Sequence, residues 1–381
     1  TYGFVSDMED LLGKIKNTED ILLALDIAFL LFNEAVEAFQ YADDSNGEIG
    51  SLVNETIDMI KEIVMKIDIS NINLREKVFN KILEESNNEV FGGWDEYKIE
   101  MLRLCTEFAD VEEFREKLRE KIEYLLNKNL NKEYGKYMNE SMMRILFDMI
   151  KKYGTKKEED NFIRDNRVFT YFRELLINKY IKEKNYHKVI ELALEGEKQD
   201  KQYRGLISTW KKIRYTAYKD LSLKEEQFKL AKELLLHGDF EYYDELKELA
   251  AGDKEILYNN LKQELKNDRN GYGTSIYLKL IVEKNDLDEI MEFVRKNPTS
   301  IERYADMLVN KFKDDVIDIY SKHIKSSASF SSNRKDYQRV CEILKRYKKI
   351  AGEEKQKGMI NELNVLYRKR PAFVDELNKI R

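Results

Sequence analysis

Five side chains could serve as soft metal ligands, His187, His237, His323, Cys105 and Cys341, and no two lie close enough in sequence to form a local pair. A zinc site needs four Cys, His or carboxylate ligands drawn together at short spacings, so metal binding is not indicated. His187 and His237 fall at turns between helical periods, where an imidazole is expected at the surface. Nucleophilic catalysis has no better footing, since there is no glycine-flanked serine elbow, no HExxH pair and no cysteine beside a histidine. Gly271-Tyr272-Gly273-Thr274 lacks the further glycine and the lysine of a phosphate-cradling loop and reads as an interhelical connector. Asp43-Asp44-Ser45-Asn46-Gly47 sets acidic residues beside a glycine, as calcium loops do. With Gly47 as the loop glycine, however, Ala42 falls at the first ligand position, so a capping turn is expected. No cofactor and no enzymatic activity are expected.

The elements that carry these residues are helices. Among 381 residues only Pro298 and Pro371 are prolines, and 36% of the chain is charged, which permits long uninterrupted helices almost everywhere. Capping boxes are expected at Ser6-x-x-Glu9, Thr155-x-x-Glu158, Ser222-x-x-Glu225 and Thr299-x-x-Glu302, with helix starts near 7, 156, 223 and 300. Pro298 and Pro371 sit at expected helix starts as well. A long helix is expected over 18–42 and another over 48–67. Further breaks are expected at Asn87-Asn88 and Phe91-Gly92-Gly93-Trp94, and the helix count should approach twenty.

Short polar turns recur from residue 183 onward. Glu183-Lys184-Asn185 is echoed by Glu283-Lys284-Asn285, and Gly238-Asp239-Phe240 and Lys313-Asp314-Asp315-Val316 are related. Their spacing, roughly 30 to 55 residues, suits an all-α fold, an α-α superhelix of stacked antiparallel pairs like tetratricopeptide or HEAT arrays. The tryptophan, glycine and proline signature of true tetratricopeptide repeats is missing. Tyr153-Gly154-Thr155 and the charge run after it suggest a boundary between an acidic helical region, 1–154, and a hairpin-repeat region, 155–381.

Cys105 and Cys341 lie within apolar helical periods and read as core fillers in a reducing, cytoplasmic setting. The most apolar run, 21–32, carries Asp26 in its middle, so no transmembrane span is expected. The start at Thr1 suggests a processed chain or a piece of something longer. A net charge of -6 conceals a polarity: residues 1–120 hold 12 Lys+Arg against 28 Asp+Glu, and residues 322–381 hold 16 against 7. Any contact with an acidic partner is therefore expected away from the first region.

Two helices combine cations with aromatic residues. In the helix 203–219, Tyr203, Leu206, Ile207, Trp210, Ile213 and Ala217 form the expected buried stripe, with Trp210 as its anchor. Arg204, Lys211, Tyr215 and Tyr218 line one flank, and Arg214 falls at the edge of the stripe. Such a flank suits phosphate contact with base stacking, and equally suits the acidic face of a neighbouring helix. In the helix 333–350, Tyr337, Val340, Cys341 and Leu344 point inward while Lys335, Arg339 and Arg346 project outward, with Lys349 nearby; Arg368-Lys369-Arg370 follows. These cations are the candidate contacts for a protein partner or for nucleic acid.

The stretches 203–215 (YRGLISTWKKIRY), 238–243 (GDFEYY), 333–341 (NRKDYQRVC) and 370–377 (RPAFVDEL), with the 43–47 turn, resemble the helical C-terminal region of bacterial SWIM zinc-finger proteins. The resemblance covers most of the chain. The finger itself, a CxCx…CxH site, is absent, so no zinc role carries over to any residue here. The resemblance implies a scaffold that follows such a finger and acts with nucleic acid or a Swi/Snf-type ATPase. The expected function is thus a non-catalytic scaffold for macromolecular interaction, the alternative being a peptide-responsive regulator of the tetratricopeptide type.

Overall fold

A computed structural model describes residues 2–129, 135–250, 252–267 and 273–380. Two compact units make up the chain, residues 1–210 and 211–381. The first contains α1 (Tyr2–Lys16), α2 (Ile21–Ala38), α3 (Glu48–Met65), α4 (Ile72–Glu85), α5 (Asp95–Leu104), α6 (Glu112–Asn129), α7 (Gly135–Tyr153), α8 (Lys156–Asp165), α9 (Thr170–Lys182) and α10 (Tyr186–Gln199). The division falls inside α11 (Arg204–Asp220). The second unit continues with α12 (Lys224–Leu236), α13 (Tyr242–Leu249), α14 (Lys254–Asn267), α15 (Gly273–Glu283), α16 (Leu287–Lys296), α17 (Ile301–Leu308), α18 (Lys313–Phe330), α19 (Arg334–Ala351), α20 (Glu353–Leu366) and α21 (Pro371–Asn378). Among the described residues there is no strand.

Within each unit many helices consecutive in sequence pack on one another, α2 on α3 and α9 on α10 in the first, α12 on α13 and α18 on α19 in the second, and others pack one element further on, α1 on α3, α5 on α7 and α19 on α21. The short turns after α9, α12 and α18 force antiparallel pairing there, as the sequence suggests. The composition change near 154 falls inside the first unit, where α7, α8 and α9 pack in succession.

One turn recurs in detail. Lys184, Ser222, Gly238 and Asn285 are all left-handed, with φ of 56°, 56°, 116° and 56°. The next N–H reaches back to a carbonyl in the last turn of the preceding helix: Asn185 to Tyr180 at 2.8 Å, Leu223 to Tyr218 at 2.9 Å, Asp239 to Leu234 at 3.2 Å and Asp286 to Ile281 at 2.9 Å. This closure satisfies carbonyls that a helix end otherwise leaves orphaned. The two Glu-Lys-Asn triplets thus take the same turn one residue out of register. In the first, Lys184 is left-handed and Asn185 caps α10; in the second, Asn285 is left-handed and Asp286 caps α16. A left-handed lysine carries a steric penalty that glycine does not. Lys184→Gly should therefore stabilise the first unit by up to about 1 kcal/mol, read as a raised unfolding midpoint, and Asn285→Gly should do less for the second, since asparagine tolerates this conformation.

Of the expected capping boxes only Thr155-x-x-Glu158 forms, with both reciprocal bonds in place. Ser6 lies inside α1, because Val5 belongs to the same buried stripe as Leu12 and Ile15 and the helix must begin before it. Ser222 is the left-handed turn residue, and Leu223 takes the cap position of α12. Thr299 sits in a short 3-10 turn opened by Pro298, and Glu302 is committed to His323 and Arg346 instead. Pro371 opens α21. The Asp43–Gly47 turn caps α3: the Asp44 carboxylate accepts from the N–H of Ile49 at 2.7 Å and of Gly50 at 3.2 Å. Cys105 and Cys341 are free and buried, and His187 and His237 are exposed. Thr1, Gly271 and Tyr272 lie outside the described residues, and Gly273 opens α15.

Candidate partner-binding site

The α19 helix is fixed by its own start and by its apolar face. Asn333 caps it, accepting from the Asp336 N–H at 3.1 Å, while Asp336 accepts from the Ser332 N–H at 3.1 Å. Tyr337, Val340, Cys341, Ile343, Leu344 and Tyr347 are buried at helical spacing. Tyr337 stacks on Phe373 of α21 with ring centroids 4.7 Å apart, and Tyr347 meets Tyr320 of α18 at 5.6 Å. With that face locked inward, residues 335, 339, 346 and 349 are held outward by the 3.6-residue period.

These outward cations differ in what they touch. Lys335, Arg339 and Lys349 are exposed and form no ion pair among the described residues. Arg346 is paired with Glu302 at 2.9 Å, so it is less available than its neighbours. From Lys335 to Lys349 the unpaired stripe runs about 21 Å along the helix axis. Three unneutralised cations on one rigid face attract an extended anionic surface, with an energy that falls as salt rises.

The flank of α11 is organised differently. Lys211 is largely covered and pairs with Glu233 at 2.7 Å, Lys212 with Asp239 at 3.2 Å, and Lys219 with Glu245 at 2.9 Å. Tyr215, expected on the flank, is only 5% exposed. Its hydroxyl donates to Glu245 at 2.8 Å and accepts from Gln227 at 3.0 Å, and its ring packs edge-on against Tyr242 at 4.9 Å. Arg214 donates to the Tyr218 hydroxyl at 3.2 Å. The basic flank thus meets the acidic residues of α12 and α13 within the second unit. Tyr203, expected in the buried stripe, is 44% exposed, because the helix begins only at Arg204 and Tyr203 lies in the preceding turn, against Lys136. Arg204 is exposed and makes no ion pair among the described residues, and it lies on the first unit, apart from the paired cations of α11.

No family model, curated protein or solved structure matches this chain. The site therefore rests on geometry. A groove of ≈ 360 Å³ between α19, α20 and α21 is lined by Cys341, Lys345, Lys348 and Lys379. Its lysines are all paired, with Glu342, Glu353 and Glu376, and burial pushes the Cys341 thiol up to about 11, so it offers neither free charge nor a thiolate.

Sequence reasoning missed a buried charged cluster in the first unit. Asp200 is fully buried and accepts from Arg173 Nη1 at 3.0 Å, Lys136 Nζ at 2.6 Å and Trp210 Nε1 at 2.9 Å. Arg173 is fully buried as well and also donates to Gln199; burial holds its guanidinium below the ordinary value, against the opposing pull of Asp200. Trp210 is the core anchor expected of it. The indole lies so close to Gly196 that a Cβ there would stand 2.8 Å from its ring atoms.

Proposed function

We propose that this chain is a non-catalytic helical scaffold that takes an acidic macromolecular partner on the α19 face of its second unit. The observation that supports the reading is the stripe Lys335, Arg339, Lys349, exposed and without an ion pair among the described residues while the cations of α11 other than Arg204 are engaged internally. The charge division agrees: residues 1–210 hold 31 Lys+Arg against 42 Asp+Glu, and residues 211–381 hold 35 against 30. A protein is the favoured partner, and nucleic acid competes for the same cations. The resemblance to SWIM-type proteins supports a setting in which such a scaffold works beside nucleic acid or a Swi/Snf-type ATPase. A peptide-responsive regulator has less support, since Tyr215 and Arg214, which could have lined a narrow polar pocket, are spent inside the fold.

Titration of the full chain at low salt with duplex DNA, single-stranded RNA and poly-glutamate tests the reading. Wild type should bind at least one of them with affinity that falls as salt rises. Changing Lys335, Arg339 and Lys349 together to Glu should weaken binding about tenfold or more and flatten the salt dependence, since each phosphate of duplex DNA that is no longer neutralised takes about 0.9 off the logarithmic slope. Lys211→Glu and Arg346→Glu should do less. Absence of salt-dependent binding to all three polyanions by wild type would contradict the proposal.

A further inference from the structure

We infer that the end of the second unit where α18 and α20 finish is a docking site for an acidic amphipathic segment of a protein partner. The inference rests on the proposed function and names the partner class. Phe330, the last residue of α18, is 85% exposed, and Val365 and Leu366, the last two of α20, are 75% and 63% exposed. The two helix ends are tied side by side. Lys325 pairs with Glu362 at 2.6 Å, and Arg370, just beyond α20, donates to the carbonyls of Ala328 at 3.3 Å and Ser331 at 2.9 Å. Because α19 begins four residues after Phe330, Lys335 starts its cationic stripe at the same end.

Single exposed apolar residues are ordinary on a protein surface; three large ones at one end of a unit, beside free cations, are not. Lys335, Arg368 and Lys369 are exposed there and make no ion pair among the described residues. The carboxylates at this end are occupied: Asp336 accepts from the Ser332 N–H and the Asn333 side-chain amide, Glu362 holds Lys325, and Asp375 and Glu376 hold Arg334. The end is therefore apolar at its centre and positive at its rim, and its complement is apolar at its centre and negative at its rim. A helix with leucines or phenylalanines at i, i+3 and i+7 flanked by Asp or Glu has that form. A phosphate backbone supplies the charge but nothing for Val365 and Leu366. Base stacking would fall to Phe330, since the half-buried Tyr367 ring is held between Phe373 and Arg370, whereas single-strand binders stack successive bases on several aromatic rings.

The test measures binding of the full chain to a labelled helical peptide with three leucines on one face among glutamates. The control is a peptide of equal charge with serines replacing the leucines, and single-stranded RNA serves as competitor. The leucine peptide should bind about tenfold more tightly, the gain from part-burying a few apolar side chains. Phe330→Ser with Leu366→Ser should erase that difference while leaving the control peptide's affinity unchanged; both positions are exposed, and circular dichroism checks that the fold is kept. Equal affinity of wild type for the two peptides overturns the inference and leaves the proposed function standing. So does RNA binding that is weakened by Phe330→Ser and is not displaced by the leucine peptide, which would make the patch a nucleic-acid platform. Conversion of a dimer to a monomer by Phe330→Ser in sedimentation would instead assign the patch to a second copy. No binding of either peptide by wild type, together with no polyanion binding, overturns both readings at once.

Discussion

Asp200→Ala should destabilise the first unit by about 3–5 kcal/mol, the usual consequence of removing one partner from a buried ion pair. The carboxylate is fully buried, and the fully buried Arg173 depends on it for charge compensation. Arginine cannot escape by losing its proton in a protein, so the uncompensated guanidinium must be carried in the core or the core must open. Lys136, partly exposed, can turn to water and softens the loss. Both tryptophans, Trp94 and Trp210, lie in the first unit, so denaturant unfolding followed by tryptophan fluorescence reports on that unit by itself. Replacing the pair together, Asp200→Leu with Arg173→Met, should recover most of the stability, because an apolar pair leaves no charge stranded. A single-variant loss below about 1 kcal/mol would show that water reaches Arg173 and that the cluster is not a core element.

The second large effect is expected at Trp210. Its indole is fully buried, it lies against Gly196 at a separation no side chain could enter, and the Arg173 guanidinium carbon stands 5.2 Å from its ring centroid. Trp210→Ala should cost about 3–5 kcal/mol, the range for truncating a buried aromatic residue. Trp210→Phe should cost less, since it keeps an aromatic ring and loses mainly the bond from Nε1 to Asp200. The variants can be followed by far-ultraviolet circular dichroism as well as by the remaining tryptophan. A loss below about 1 kcal/mol for Trp210→Ala, with the helices intact, would place the indole at a surface and make it a candidate for meeting the partner.

The fold was legible wherever one period dominated. The apolar stripe of α19, the proline starts at 298 and 371, and the Asp43–Gly47 turn all follow from local rules. Ser6, Ser222 and Thr299 show where such rules fail. A capping box describes the bonds available to a serine or threonine, and tertiary packing decides whether the chain begins its helix there. Tyr215 shows the same limit on a helical wheel, since a tyrosine beside the main stripe is buried when α12 and α13 cover that flank as well. The Lys136–Arg173–Asp200–Trp210 cluster was not legible, because its charged members come from three separate stretches and each resembles an ordinary solvated residue in its own context. The exposed Val365 carried a readable signal. It falls off the stripe of Gln356, Met359, Ile360 and Leu363 that α20 buries.

If the second unit presents its α19 face to an acidic partner and the acidic first unit does not, binding must leave its mark on one unit only. Amide hydrogen exchange on the full chain, with and without saturating poly-glutamate, tests this most directly, since it reports every helix in one experiment. Slowed exchange is expected across α19 and at the adjoining ends of α18 and α20, with α1 to α6 unchanged. Slowed exchange confined to α1–α6 or to α11, with α19 unaffected, would contradict it.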